Sequence, residues 1–414
     1  MKTSRLSRNV RIGFLATTLV VAGAAVCSAA KAPTLKNAYK GSFYVGVAIN
    51  RTITTGTAGN GARSQDLVDK DIALTKEQYN QISPENDLKW QVIHPREGAD
   101  GYDFGPADAY VDFGMKNHMY IVGHTLVWHG QTPRWVFAGT TLPANPPDGG
   151  GGATPGGGGG FGGFGGFDMN APHASREELL QRMRDHIHTV VGRYKGKIKV
   201  WDVVNEAISD RGTDVLRNSP WRQIIGPDFI AKAFEYAHEA DPDAILRYND
   251  YSLENPVKRQ KLITLIKELQ AQKVPVMAIG TQTHVSVSSP SLEEEDQTLT
   301  DLETLGLPIH VTELDVNGAQ RGQGNTGADV ANNATTTQGG LVDDANQRLA
   351  DQYANLFKVF RKHKSVKVVT LWGINDGVSW RANGKPLLFD NNDQPKPAFY
   401  SVIRAASDDG TDKK

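Results

Sequence analysis

Apolar positions along the chain fall into two alternating rhythms. Short runs rich in Val and Ile lie at 43–49, 81–86, 120–129, 198–206, 244–251, 278–284, 309–316 and 368–374. Their brevity and β-branched content are those of buried parallel strands. Between them run amphipathic stretches about three or four turns long, the repeat of βα units and not of a sandwich. Start signals place several helices: Ser64 caps a run to Tyr79, Ser175 with Glu178 forms a capping box, and Asn255-Pro256 opens a run to Lys273. Further helices are predicted over 106–116, 228–239, 292–305, 341–362 and 397–405. Eight strands alternating with eight helices predict an α/β fold, a closed (β/α)8 TIM barrel forming a single domain over residues 31–414.

Two segments break the rhythm. Residues 143–166 are nearly all Gly and Pro, with Phe161 and Phe164 set among them, and residues 317–340 are rich in Gly, Asn and Thr. Neither composition buries enough surface to offset chain entropy, so both are expected to be loop insertions. Each follows a predicted strand and should emerge at the C-terminal rim, where barrel active sites form. One reading is an insertion without function; the other is a flap whose phenylalanines touch the ligand.

Residues 1–30 read as an export signal. Lys2, Arg5, Arg8 and Arg11 precede an apolar stretch from Ile12 to Ala25, and Ser28-Ala29-Ala30 supplies small residues for cleavage. The apolar run is shorter than the roughly 20 residues of a membrane span, so a secreted or periplasmic protein is expected, with no membrane association after cleavage. Cleavage would also remove Cys27, the only cysteine, and with it disulfides, thiol nucleophiles and thiolate metal sites. The formal net charge of −1, without a Lys/Arg-rich run, lacks the footprint of a nucleic-acid binder and suits a neutral or weakly acidic partner.

Two glutamates end two predicted strands, Glu206 in Asp202-Val203-Val204-Asn205-Glu206 and Glu313 in Thr312-Glu313-Leu314-Asp315. A carboxylate after an apolar run is costly to bury, so each marks either a site or a rim ion pair. Facing each other across a barrel mouth, they meet the requirement of acetal cleavage. One protonated carboxyl serves the leaving oxygen and one ionised carboxylate faces the anomeric carbon.

With these, the segments Glu85-Asn86-Asp87-Leu88-Lys89-Trp90, Gly123-His124-Thr125-Leu126-Val127-Trp128-His129, Gln282-Thr283-His284, and Trp372-Gly373 with Ser379-Trp380-Arg381 resemble glycoside hydrolase family 10 xylanases. They occur in family order across essentially the whole mature chain. The resemblance implies that Glu206 is the acid/base and Glu313 the nucleophile of a retaining endo-β-1,4-xylanase acting on xylan and xylo-oligosaccharides. It further implies that Asn205 bonds the sugar 2-hydroxyl, and that His284 holds the nucleophile with Asp315 behind it. Asn86, Lys89, His124, Trp128 and Gln131 would line the glycone side, with Trp372 and Trp380 as its wall. Lys89 and Trp372 would leave little room for the hydroxymethyl group of glucose. Gln282 belongs to the same motif set, and Tyr251, at the end of the fifth strand, is a candidate for shaping the aglycone cleft. Neither a cofactor nor a metal is implied, and a monomer is expected.

The pattern has departures. Gly130 stands where the family commonly has serine, which bears on the shape of the neighbouring subsite, and the long insertion after Asp315 bears on the aglycone rim. Plainer readings apply elsewhere. Trp201 among valines reads as core, and His186 and His188, two apart on a helix, point to different faces. Glu293 to Asp296 and Lys267-Glu268 read as solvated helix surface. Two rival functions remain on sequence grounds: a non-catalytic xylan-binding barrel, which should lack one carboxylate, and a β-glucanase with the same glutamate pair.

Overall fold

The computed structural model describes Met1 and residues 33–59, 63–139, 172–319 and 344–407. The expected export signal beyond Met1, the insertion at 143–166 and residues 320–340 of the second insertion lie outside the described residues. Among those described, no helix is long and apolar enough to cross a membrane.

Eight parallel strands close a barrel: β1 (Tyr44–Ile49), β2 (Gln81–Pro84), β3 (Tyr120–Trp128), β4 (Val200–Asn205), β5 (Ile245–Asp250), β6 (Ala278–Thr281), β8 (Ile309–Asn317) and β9 (Val366–Leu371). Neighbours in sequence pair in order, β1 pairs with β9, and the pairing of β6 with β8 completes the ring. Each strand is buried on nearly every residue, because one face fills the barrel and the other lies under helices.

The sixth run differs from expectation by splitting in two. Thr283 takes a left-handed φ of 57°, which breaks the strand after Thr281. The chain resumes as β7 (His284–Ser286), which pairs with the outer half of β8 and sets His284 opposite Asp315. The break therefore turns His284 toward the carboxylates at the end of β8.

The helices bury the faces their spacing predicts. Arg176–Arg193 covers Leu179, Met183, Ile187, Val190 and Val191, and the Ser175/Glu178 capping box is formed. Asn255 caps Pro256–Ala271 by accepting from two backbone N–H groups, whereas Ser64 sits at its helix start without a side-chain capping bond. Trp201 is fully buried and lies over Gly123, where an added Cβ would come within 2.2 Å of the indole. Glu295 departs from the solvated-surface reading: it is fully buried on the inner face of Leu292–Glu303, and burial pushes its pKa well above the ordinary carboxylate value. Such a group is held as the neutral acid.

Polar side chains, not aliphatic ones, fill part of the barrel interior. Arg247 grips Asp202 with two hydrogen bonds (2.7 and 2.9 Å), and a third N–H meets His310 Nδ1 at 2.9 Å. Gln81 accepts from Thr370 at 2.8 Å and donates to Ser83 at 3.0 Å. These pairings satisfy groups that would be costly to bury alone.

Candidate active site

The C-terminal ends of β3, β4, β5, β6 and β8, together with β7 and the segment after β9, converge on one polar cleft. Glu206 follows the last residue of β4, and Glu313 lies within β8. Both are buried. A chain of amides links them. Gln282 Nε2 donates to Glu206 Oε1 (3.0 Å) and Asn205 Oδ1 (3.3 Å), while Asn249 Nδ2 donates to Asn205 Oδ1 and Glu313 Oε1, both at 2.9 Å.

The surroundings of Glu313 are ionic. His284 Nε2 meets its Oε2 at 3.2 Å, and the other imidazole nitrogen lies 3.0 Å from Asp315 Oδ2. Asp315 in turn accepts from Arg381 Nη1 and Trp380 Nε1, both at 2.8 Å. Burial alone would lower the His284 pKa, but Asp315, helped by Glu313, outweighs it and raises the value to about 9. Burial likewise opposes the charge on Glu313, yet the His284 hydrogen bond and nearby imidazole charge bring its pKa below the ordinary value. Glu313 is thus set up to stay ionised.

Glu206 is held by neutral donors. Trp128 Nε1 donates to its Oε2 at 2.9 Å and Gln282 to its Oε1, while His129 Nε2 stands 4.0 Å off. Burial lowers the His129 pKa to about 3, so that imidazole is neutral.

The other sequence candidates fall around this pair. Lys89 Nζ donates to Asn86 Oδ1 (3.1 Å) and sits over the Trp128 ring, and Gln131 Nε2 donates to the same Asn86 oxygen (3.3 Å). Burial lowers the Lys89 pKa, opposed by Glu313, Glu85 and Glu206, so this ammonium is near both carboxylates. His124 Nδ1 donates to Asp202 Oδ2 at 3.0 Å, and its ring stands edge-on to Trp372. Trp372 and Trp380 both flank His284. Tyr251 is buried; its hydroxyl donates to Asp210 and accepts from Arg217. Among the described residues no three His, Cys, Asp or Glu side chains are placed to hold a metal ion. His186 is buried flat against Trp90, and His188 pairs with Glu239.

Sequence reasoning gave no role to three members of the site, of which only Arg381 stood in a quoted segment. Asn249 joins the two halves, Arg381 holds Asp315, and Arg217 anchors the chain around Glu206 through the Glu206 carbonyl. Asn249 carried a readable signal. By alternation it shares the inward face with Arg247 near the end of a parallel strand, where a polar residue points at the site.

The family described as Glycosyl hydrolase family 10 matches residues 34–405. A β-1,4-xylanase of Dictyoglomus thermophilum is 37% identical over 90% of this chain and 91% of its own length. An endo-1,4-β-xylanase of Geobacillus stearothermophilus is 34% identical over 90% of this chain and 98% of its own. Among solved structures, a family 10 endoxylanase retrieved from a sugarcane soil metagenome superimposes with a TM-score of 0.73 at 36% identity, covering 90% of this chain and 99% of that one. With a matched region running from the first helix to the last, a closed parallel barrel and two carboxylates at its mouth, the chain belongs to glycosyl hydrolase family 10.

Proposed function

We propose that the chain is an endo-1,4-β-xylanase that hydrolyses internal linkages of xylan with retention of anomeric configuration. The observation that carries this reading is the contrast between the two carboxylates, Glu313 in an ionic cradle and Glu206 among neutral donors, joined by Asn249, Asn205 and Gln282.

In the first step Glu313 Oε attacks the anomeric carbon as the Glu206 carboxyl gives its proton to the glycosidic oxygen. The C–O bond breaks, its electron pair leaves with the aglycone, and a covalent glycosyl-enzyme forms. Glu206, now ionised, then takes a proton from water, which attacks the same carbon and releases Glu313. Asn205 bonds the 2-hydroxyl of the reacting sugar in this reading, a contact that strengthens as positive charge develops. Asn86, Lys89, His124, Gln131 and the two indoles Trp372 and Trp380 supply the edge hydrogen bonds and flat apolar faces that a xylose ring needs.

Proton NMR of the first products from xylo-oligosaccharides tests this directly. The β-anomer should appear first, and mass spectrometry of enzyme treated with a 2-fluoro xylobioside should place the sugar on Glu313. An initial α-anomer would exclude the double displacement. Comparison of xylan with carboxymethylcellulose and barley glucan separates this reading from a β-glucanase. The basic, apolar and small-residue pattern of residues 1–30 supports export to the periplasm or medium, which N-terminal sequencing starting at Lys31 would establish.

A further inference from the structure

Glu206 leaves β4 with a left-handed backbone, φ 58°. A side chain with a Cβ adopts that conformation at a cost of about 1–2 kcal/mol, so the surroundings must hold it. Four backbone polar groups around it have partners outside the turn. The Glu206 N–H donates to Asn249 O (2.9 Å), the Ala207 N–H to the Tyr248 hydroxyl (2.9 Å), and the Ile208 N–H to Asp250 Oδ2 (3.2 Å). The Glu206 carbonyl accepts from Arg217 Nε at 3.1 Å.

Arg217, the partner of the Glu206 carbonyl, is itself held on a second side. Its Nη2 donates to the Tyr251 hydroxyl (2.6 Å) and to Asp210 Oδ2 (2.8 Å). Tyr251 also donates to Asp210 at 2.6 Å, and Lys258 Nζ joins Asp210 to Asp250 at 2.8 and 2.9 Å while lying over the Tyr251 ring. The guanidinium therefore spans from the strained carbonyl to a closed set of charged and hydroxyl groups. A planar fork with five fixed donors can do this, and a single ammonium cannot make both contacts at once.

We propose that Arg217 is a positioning residue for the acid/base, fixing the turn at Glu206 so that its carboxyl meets the glycosidic oxygen. This rests on Glu206 being the acid/base. Asp210, Tyr251 and Lys258 act through Arg217 and not on the sugar's reacting atoms.

A misplaced acid harms only substrates whose leaving group needs a proton. kcat/KM of Arg217→Met should fall about 100-fold on xylo-oligosaccharides, the effect of roughly an ångström of misplacement. On 2,4-dinitrophenyl β-xylobioside, whose leaving group departs unprotonated, it should fall less than about threefold. Arg217→Lys keeps the charge and most of the stem, so it guards against misfolding of the methionine variant. It should show the same selectivity with a loss of about tenfold. Equal losses on the two substrates, or no loss on either, overturn the proposal. Glu206→Ala run in parallel separates the two levels of inference. Equal losses there remove the acid/base reading and the clamp together, whereas a selective loss there with equal losses in the arginine variants removes the clamp alone.

Discussion

The two carboxylates proposed as acid/base and nucleophile sit in one cleft, are both buried, and are held in different ways. Glu313 faces an imidazole whose pKa is raised to about 9, backed by Asp315 and Arg381, so its charge is fixed by other charges. Glu206 faces an indole N–H and an amide, with a neutral His129 nearby. A nucleophile must be an anion whenever substrate arrives, and an ionic cradle suits it. An acid that becomes a base within each turnover is met here by neutral hydrogen-bond donors instead of a paired cation. What differs is the charge of the groups that hydrogen-bond each carboxyl, since the Lys89 ammonium lies near both.

Removing the nucleophile should have the largest effect. Glu313→Ala should lower kcat on xylan by roughly four orders of magnitude or more, measured by reducing-sugar release. Glu206→Ala should cost about 10²–10⁴ on the same substrate, in line with the worth of a general acid. A reversal of that order would break the assignment of roles.

Next comes the ionic cradle itself. His284→Asn removes the cation facing Glu313, so the nucleophile's pKa rises and the acidic limb of the kcat/KM profile moves to higher pH, with a loss near 100-fold at the optimum. The same imidazole links stability to pH. Its folded pKa of about 9 lies above the unfolded value, so its contribution is complete below about pH 6.5 and is lost as pH rises through 9. By that linkage it amounts to roughly 3 kcal/mol. Thermal melts of the wild type should decline across that window more steeply than those of His284→Asn.

How far this division was legible in the sequence follows from its physical origin. The barrel could be read because a buried strand and an amphipathic helix leave periodic traces, and the caps at Ser175 and Asn255 mark their helices in residue type alone. Glu206 could be read because it follows the apolar end of β4, whereas Glu313 does not end its strand: it lies inside β8 (Ile309–Asn317) and stood out through the Thr312-Glu313-Leu314-Asp315 segment. The break after Thr281 could not, since a threonine at φ 57° carries no local sign of a conformation imposed by tertiary contacts. Nor could the turn at Glu206, whose supports Arg217, Tyr248 and Asp250 come from two separate stretches of chain. The buried ion pair of Arg247 and Asp202 was hidden similarly, because neither residue type alone announces a partner 45 positions away.

On the neutral side the effects should be smaller. Trp128→Phe keeps an aromatic face but replaces the indole by a smaller phenyl ring and deletes the N–H that meets Glu206 Oε2 at 2.9 Å. The loss of one hydrogen bond to a group that carries charge for half the cycle should reduce kcat/KM on xylan about tenfold. A loss as large as that of His284→Asn would mean that the acid is held as tightly as the nucleophile, and the contrast would fail.

The smallest effect tests whether Gly130 matters through that indole. An added Cβ at Gly130 would lie 2.8 Å from the Trp128 ring, closer than such atoms approach, so Gly130→Ala must displace the ring edge. The indole N–H would then miss Glu206, and kcat/KM should fall by about three- to fivefold, less than the full loss of the bond. A double-mutant cycle isolates the cause. If glycine acts only by making room for the indole to reach Glu206, adding Gly130→Ala to Trp128→Phe should cost almost nothing further, because the bond it disturbs is already gone. Additive losses would instead show that Gly130 shapes the sugar's path independently of the acid/base.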